Sequence, residues 1–181
     1  NNYLLTLCMN KSTINGTSYV GGIAGQAMLV RYSSNMAEIN ATKIVGGIGG
    51  KLQEAYFCQN TGVVKALEAL AGGIAGICSS ALKSINLASV TGHGPLGGIV
   101  GKCVGGLIKN SYNTGSLSGK GIIGGVVGLT TQSSYEITDC YNGGEIPDTW
   151  ACDPILGRHD FEAIGNAKIE SSYYLNGGDL Q

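Results

Sequence analysis

The chain has 181 residues, of which 43% are hydrophobic and only 13% charged, with a formal net charge of −1. That balance excludes a disordered chain and gives no electrostatic case for nucleic acid or an anionic membrane surface. No apolar run reaches the ~18 residues of a membrane-spanning helix, and 31 glycines without a strict triplet, beside only 3 prolines, do not make a collagen.

The opening Asn1-Asn2-Tyr3, with neither an initiator Met nor a basic leader, reads as a processed form or an excised segment. Thereafter two kinds of block alternate. A glycine core recurs as Val20–Gly25, Val45–Gly50, Ala71–Gly76, Leu96–Gly101 and Ile123–Gly128. The first glycines fall at 21, 46, 72, 97 and 124, in steps of 25, 26, 25 and 27. Between them lies a second block: Leu5–Gly16, Val30–Ala41, Ala55–Ala66, Ala81–Gly92, Ile108–Gly119, Ile137–Asp148 and, less fully, Ile169 onward. Self-similarity at such a period signals a repeat architecture.

Aligned columns carry the physics. One is always small: Cys8, Ser33, Cys58, Ser84, Ser111, Cys140 and Ser172. Two places on stand Asn10, Asn35, Asn60, Asn86, Asn113 and Asn142, then Tyr174. Four further stand Ile14, Ile39, Val64, Val90, Leu117 and Ile146. The cores add Ile23, Ile48, Ile74, Ile99 and Val126. No 3.6-residue period is sustained, and short β-prone pieces broken by Gly, Asn and Ser predict strands and turns. The fold class that follows is all-β: a single-stranded parallel β-solenoid (β-helix) of about six coils stacked at ~4.8 Å, so that equivalent residues lie above one another. A sandwich or propeller competes, but propeller blades need ~40 residues or more. The asparagines are expected at a turn, where Asn tolerates left-handed backbone and stacked amides bond along the axis. The paired glycines are expected where the backbone bends sharply or packs closely.

The last third drifts. Asp153-Pro154-Ile155-Leu156-Gly157 aligns with Gly124–Gly128 and has lost both glycines. Arg158 to Ala167 then inserts charge, two aromatic rings and a helical turn. The chain divides into regular repeats over residues 1–148 and a degenerate repeat or cap over 149–181.

The GGIVG core, short spacer and IKNSYNTGSLSG block of Leu96–Gly119 resemble the GLUG repeat family, in which GG-aliphatic-V-G cores alternate with N-C/S-Y-N/A-T-G-x-V-S-G blocks. The resemblance runs from Leu5 to Leu175, strongest over Leu96–Gly128 and weakest over Thr149–Lys168. It implies an extracellular, modular, binding or spacing role in large bacterial surface proteins. It carries over no catalytic residue.

Six cysteines include no CxxC, and the two histidines offer no zinc spacing, so no metal site is expected. Cys8 and Cys58 share a column two coils apart, beyond disulfide reach. Cys78 and Cys103 each follow the first glycine of a core by six residues on adjacent coils. Their Cα atoms, ~5 Å apart, allow a disulfide, the alternative being two buried hydrophobes. Tyr112, Tyr141 and Tyr173 share a column, and Tyr112 with Tyr141 is a candidate contact strip for glycan or protein. Arg158, His159, Asp160 and Glu162 form the densest polar cluster, better read as a solvated loop than as acid–base machinery. Glu38 and Glu145 share a column four coils apart, too far to share a proton. Thr61 and Thr114 share theirs with Lys11, Met36, Leu87 and Gly143, which excludes an ice-binding face. The Gly runs lack GK[ST] and mark structure. Three sequons, at Asn10, Asn15 and Asn40, are expected by chance in so Asn- and Thr-rich a chain.

The functional expectation is a non-enzymatic segment of a large extracellular or cell-surface protein, acting in adhesion or as a rigid spacer. It needs no cofactor, meets a protein or glycan, and neither binds nucleic acid nor inserts in a membrane. The alternatives are a solenoid glycan-processing enzyme, an accessory domain of an extracellular peptidase, and a subunit that stacks end to end.

Overall fold

A computed structural model describes residues 3–147, 151–160, 166–176 and 179–180. Every regular element among them is a strand, and the strands wind into a parallel β-solenoid of about six turns. Each turn visits four sheets. The second, for example, runs through Ala24–Arg31 on a long sheet, then Ser34–Asn35, then Ile39–Ala41, then Val45–Gly46. We name these the long, asparagine, aliphatic and glycine sheets.

The repeat columns become ladders. Ile14, Ile39, Val64, Val90 and Leu117 are successive register partners in one line. Val20, Val45, Ala71, Leu96, Ile123 and Cys152 form the facing line on the glycine sheet. The two lines pack into one core cluster, and a second lies beneath the long sheet around Ile48, Ile74, Ile99 and Ile108. Each such side chain withdrawn from water stabilises the stack by about 1.5–3 kcal/mol.

The asparagines form a continuous amide ladder. Nδ2 of Asn10 donates to Oδ1 of Asn35, Asn35 to Asn60, Asn60 to Asn86, Asn86 to Asn113 and Asn113 to Asn142, each at 2.8 Å. The second Nδ2 proton goes to the carbonyl two residues on, as from Asn86 to Ala88, whose N–H returns a bond to Oδ1. These backbone contacts fix which way every amide points. The expected left-handed turn is elsewhere: the asparagines lie in two-residue strands, and positive φ falls three residues earlier, at Leu7, Tyr32, Phe57, Lys83, Asn110, Asp139 and Ser171, with values of 47 to 55°. Non-glycine residues there cost about 1–2 kcal/mol each. The small column offsets this. The hydroxyl or thiol of Cys8, Ser33, Cys58, Ser84, Ser111, Cys140 or Ser172 donates back across the corner to the carbonyl two residues before it. A larger side chain would close off that bond.

The glycine pairs serve close approach, without positive φ. A Cβ on Gly73 would lie 2.1 Å from the carbonyl oxygen of Gly98 and 2.3 Å from Cγ of Asn86. Each second glycine thus makes room for one rung of the amide ladder, Gly47 for Asn60, Gly98 for Asn113 and Gly125 for Asn142.

The last turn departs from this plan in concert. Asp153 pairs with Gly124, and its Oδ1 accepts the N–H groups of Ile155 and Leu156 at 2.9 and 3.0 Å. Tyr174 takes the register position of an asparagine, next to Asn142. Beyond it Leu175 and Leu180 pair antiparallel, the one antiparallel ladder among the described residues. Much of the expected helical turn, residues 161–165, lies outside the described residues.

Candidate binding surface

The long sheet is the only one whose outward rows combine breadth with unspent chemistry among the described residues. Its strands Ala24–Arg31, Gly49–Tyr56 and Ala75–Leu82 cross the molecule unbroken. Leu52 and Ala55 turn inward, and Gln53 and Glu54 between them are both exposed, so the strand bends at this point. A recess of about 500 Å³ opens at the bend. It is lined by Gln26, Met28, Lys51, Gln53 and Ser79, with Tyr3 at one end and Val104 at the other. Ligand sites usually span about 300–1,000 Å³ with apolar walls and a few polar groups. The side chains of Gln26, Lys51, Gln53 and Ser79 make no hydrogen bond or ion pair among the described residues. The ladder asparagines from Asn10 to Asn113, in contrast, spend both side-chain donors.

At the far end of the same strands the left-handed corner carries an aromatic cluster. Tyr32 stacks on Phe57 with centroids 5.3 Å apart, Tyr56 meets Phe57 edge-on at 4.6 Å, and the Lys83 ammonium sits 4.9 Å over the Phe57 ring. Tyr32 and Phe57 remain 50% and 41% exposed. Sequence reasoning missed this cluster. Its signal lay in the same alignment that yielded the tyrosine strip, in the column Leu7, Tyr32, Phe57, Lys83, three places before the asparagines.

The other candidate residues fall as follows. Tyr112, Tyr141 and Tyr173 are successive register partners on the outer side of the asparagine sheet, and no ring stacking joins them. Cys78 and Cys103 are register partners, but no disulfide joins them. The reason is geometric: in an in-register parallel ladder both Cβ atoms point the same way and keep the ~4.8 Å strand spacing, whereas a disulfide needs them ~3.8 Å apart. Each thiol instead donates to a carbonyl, Cys78 to Ser80 at 3.0 Å and Cys103 to Gly105 at 3.5 Å. Burial pushes the Cys103 and Cys140 thiols up to about 11 and raises Cys58 and Cys78 as well. Such thiols stay protonated and poor as nucleophiles.

Arg158 is tied to Asp160, its Nε donating at 2.6 Å, and His159 is exposed beside them. Glu162 lies outside the described residues. Glu38 bonds to Asn40 and to Lys65, 3.1 Å away, and both contacts lower its carboxyl below the usual range. Lys109 pairs with Asp139 at 3.5 Å and Lys168 with Glu170 at 2.8 Å. No three His, Cys, Asp or Glu side chains converge as a metal site would need among the described residues, and no described helix is long and apolar enough to cross a membrane. A scan against models of known protein families finds no match for this chain, and a search of curated proteins finds no relative.

Proposed function

We propose that this chain is a non-enzymatic segment of a large extracellular or cell-surface protein, a binding module carried on a stiff rod. The observation that supports it most is the division of labour between sheets. Amides on one side are wholly committed to holding the stack, while polar side chains on another are left free around a recess. Buried, fully satisfied networks rigidify, and exposed convergent polar groups are what a ligand uses. The likeness of the repeats to the GLUG pattern points the same way. The test is a glycan array probed with the whole chain, run beside turnover assays on every glycan retained. The reading expects retention without turnover. Cleavage of a retained glycan sinks it in favour of a solenoid enzyme, and a blank array with the chain folded by circular dichroism leaves only the spacer half.

A further inference from the structure

We propose that the recess on the long sheet, together with the outward row that runs on from its Lys51 through Ile77 to Lys102 beside it, binds an acidic polysaccharide with one anionic group per disaccharide, laid along the solenoid axis. The inference rests on the binding-module reading and names its ligand class. Its basis is one outward row. Gln26, Lys51, Ile77 and Lys102 are successive register partners on neighbouring turns, followed by Leu129 and Arg158. Cations therefore stand on alternate rungs, with an aliphatic side chain between them. Leu129 is buried and Arg158 is held by Asp160, so the usable stretch runs from Gln26 to Lys102.

Lys51 and Lys102 have no acidic partner; the four ion pairs among the described residues lie elsewhere. Two rungs of a parallel sheet separate them by about 9.6 Å. Two sugar units of an extended polysaccharide cover a similar length, so an anion on every second sugar meets a cation on every second rung. The intervening Ile77 faces the apolar C–H side of the sugar between. Gln26, Gln53 and Ser79 supply donors and acceptors for hydroxyls, and the Tyr3 ring, 63% exposed, closes one end as a stacking face. The single acid on these strands is Glu54, exposed next to Gln53 and outside the lining. It tunes the site against excess negative charge. A nucleic-acid strand, with a phosphate on every unit, presents charge more densely than the cation row.

The experiment is titration calorimetry of the whole chain with a hyaluronan octasaccharide, which carries one carboxylate per disaccharide. The expected result is binding that weakens as salt rises from about 0.02 to about 0.5 M. Lys51→Gln and Lys102→Gln should each weaken it about threefold, and Glu54→Gln should tighten it. Lys51 and Glu54 are exposed and Lys102 is half-buried, and unchanged circular dichroism confirms that each variant folds. Equal affinity for a neutral chitin or cellulose oligosaccharide overturns the acidic-ligand proposal but leaves the binding-module reading standing. Preferential binding of a single-stranded oligonucleotide, or full affinity in Lys51→Gln, overturns it too. No binding to any glycan overturns both.

Discussion

The long sheet is built in two ways in one molecule. In the earlier turns one eight-residue strand crosses the face, as in Gly49–Tyr56. In the later turns the same crossing is made by two four-residue strands, Val100–Cys103 with Gly106–Lys109 and Val127–Thr130 with Tyr135–Thr138. Residues 104–105 and then 131–134 fill the gap. The inserts enter where the unbroken strands already bend, between Leu52 and Ala55. The asparagine and glycine sheets keep register through both inserts, and the aliphatic sheet keeps it as far as its last strand, Leu117–Gly119. Lengthening is accepted where outward side chains have no partners in neighbouring turns, and refused where amides, aliphatics and glycines interlock.

That contrast can be attacked by substitution. The largest effect is expected from Gly73→Ala, whose Cβ would collide with the Gly98 carbonyl and displace Asn86. Chemical denaturation should show a loss of about 4 kcal/mol. Gly105→Ala in the insert, where φ is +92° and the nearest atom is 3.3 Å away, should cost only about 1–2 kcal/mol. Equal losses would erase the distinction.

Asn86→Ala should follow at about 3 kcal/mol, because it strands a donor on Asn60, an acceptor on Asn113 and both backbone groups of Ala88. Asn10→Ala, at the partly exposed first rung, should cost about 1 kcal/mol.

Alkaline pH probes the core on either side of the split. The Cys103 and Cys140 thiols are raised from 9.0 to about 11 in the fold. The protonated thiol is the form the native state favours. This stabilisation is complete below the unfolded value and is lost as pH climbs through the folded one. Stability should therefore fall between pH 9.0 and about 11, by about 2 kcal/mol for each thiol. The slope should lessen in Cys103→Ala. A flat profile would mean these sulfurs are wetter than the packing implies.

The smallest effect is expected from inserting two glycines between Gln53 and Glu54, which imitates the later turns. It should cost about 1 kcal/mol of loop entropy and leave the far-ultraviolet spectrum intact. Global unfolding by this insertion would show that the unbroken strands are not free to split.

The stacking was legible because a ladder forces the same residue type to recur at the same place. Ile14 to Leu117 and Asn10 to Asn142 needed only the period to be seen. The role of each column was harder. Asn suggested a left-handed corner from its own preferences, yet the corner is occupied by Tyr32, Phe57 and Lys83. What holds it is the small residue that follows and bonds back across it, an effect of neighbours that single-residue propensity does not register. The recess was illegible for a related reason. Gln26, Met28, Lys51, Gln53 and Ser79 form no constant column; they meet only because the strands bend there. The cysteine pair was placed correctly in register. Its bonding depended on the direction of two Cβ atoms, which spacing alone does not state.

The amide ladder also has a sense of travel. Every link donates from one turn to the next in the same direction, so the column is vectorial, like a queue in which each member holds the one ahead. Reversing one asparagine would set proton against proton on one side and oxygen against oxygen on the other, so no member turns alone.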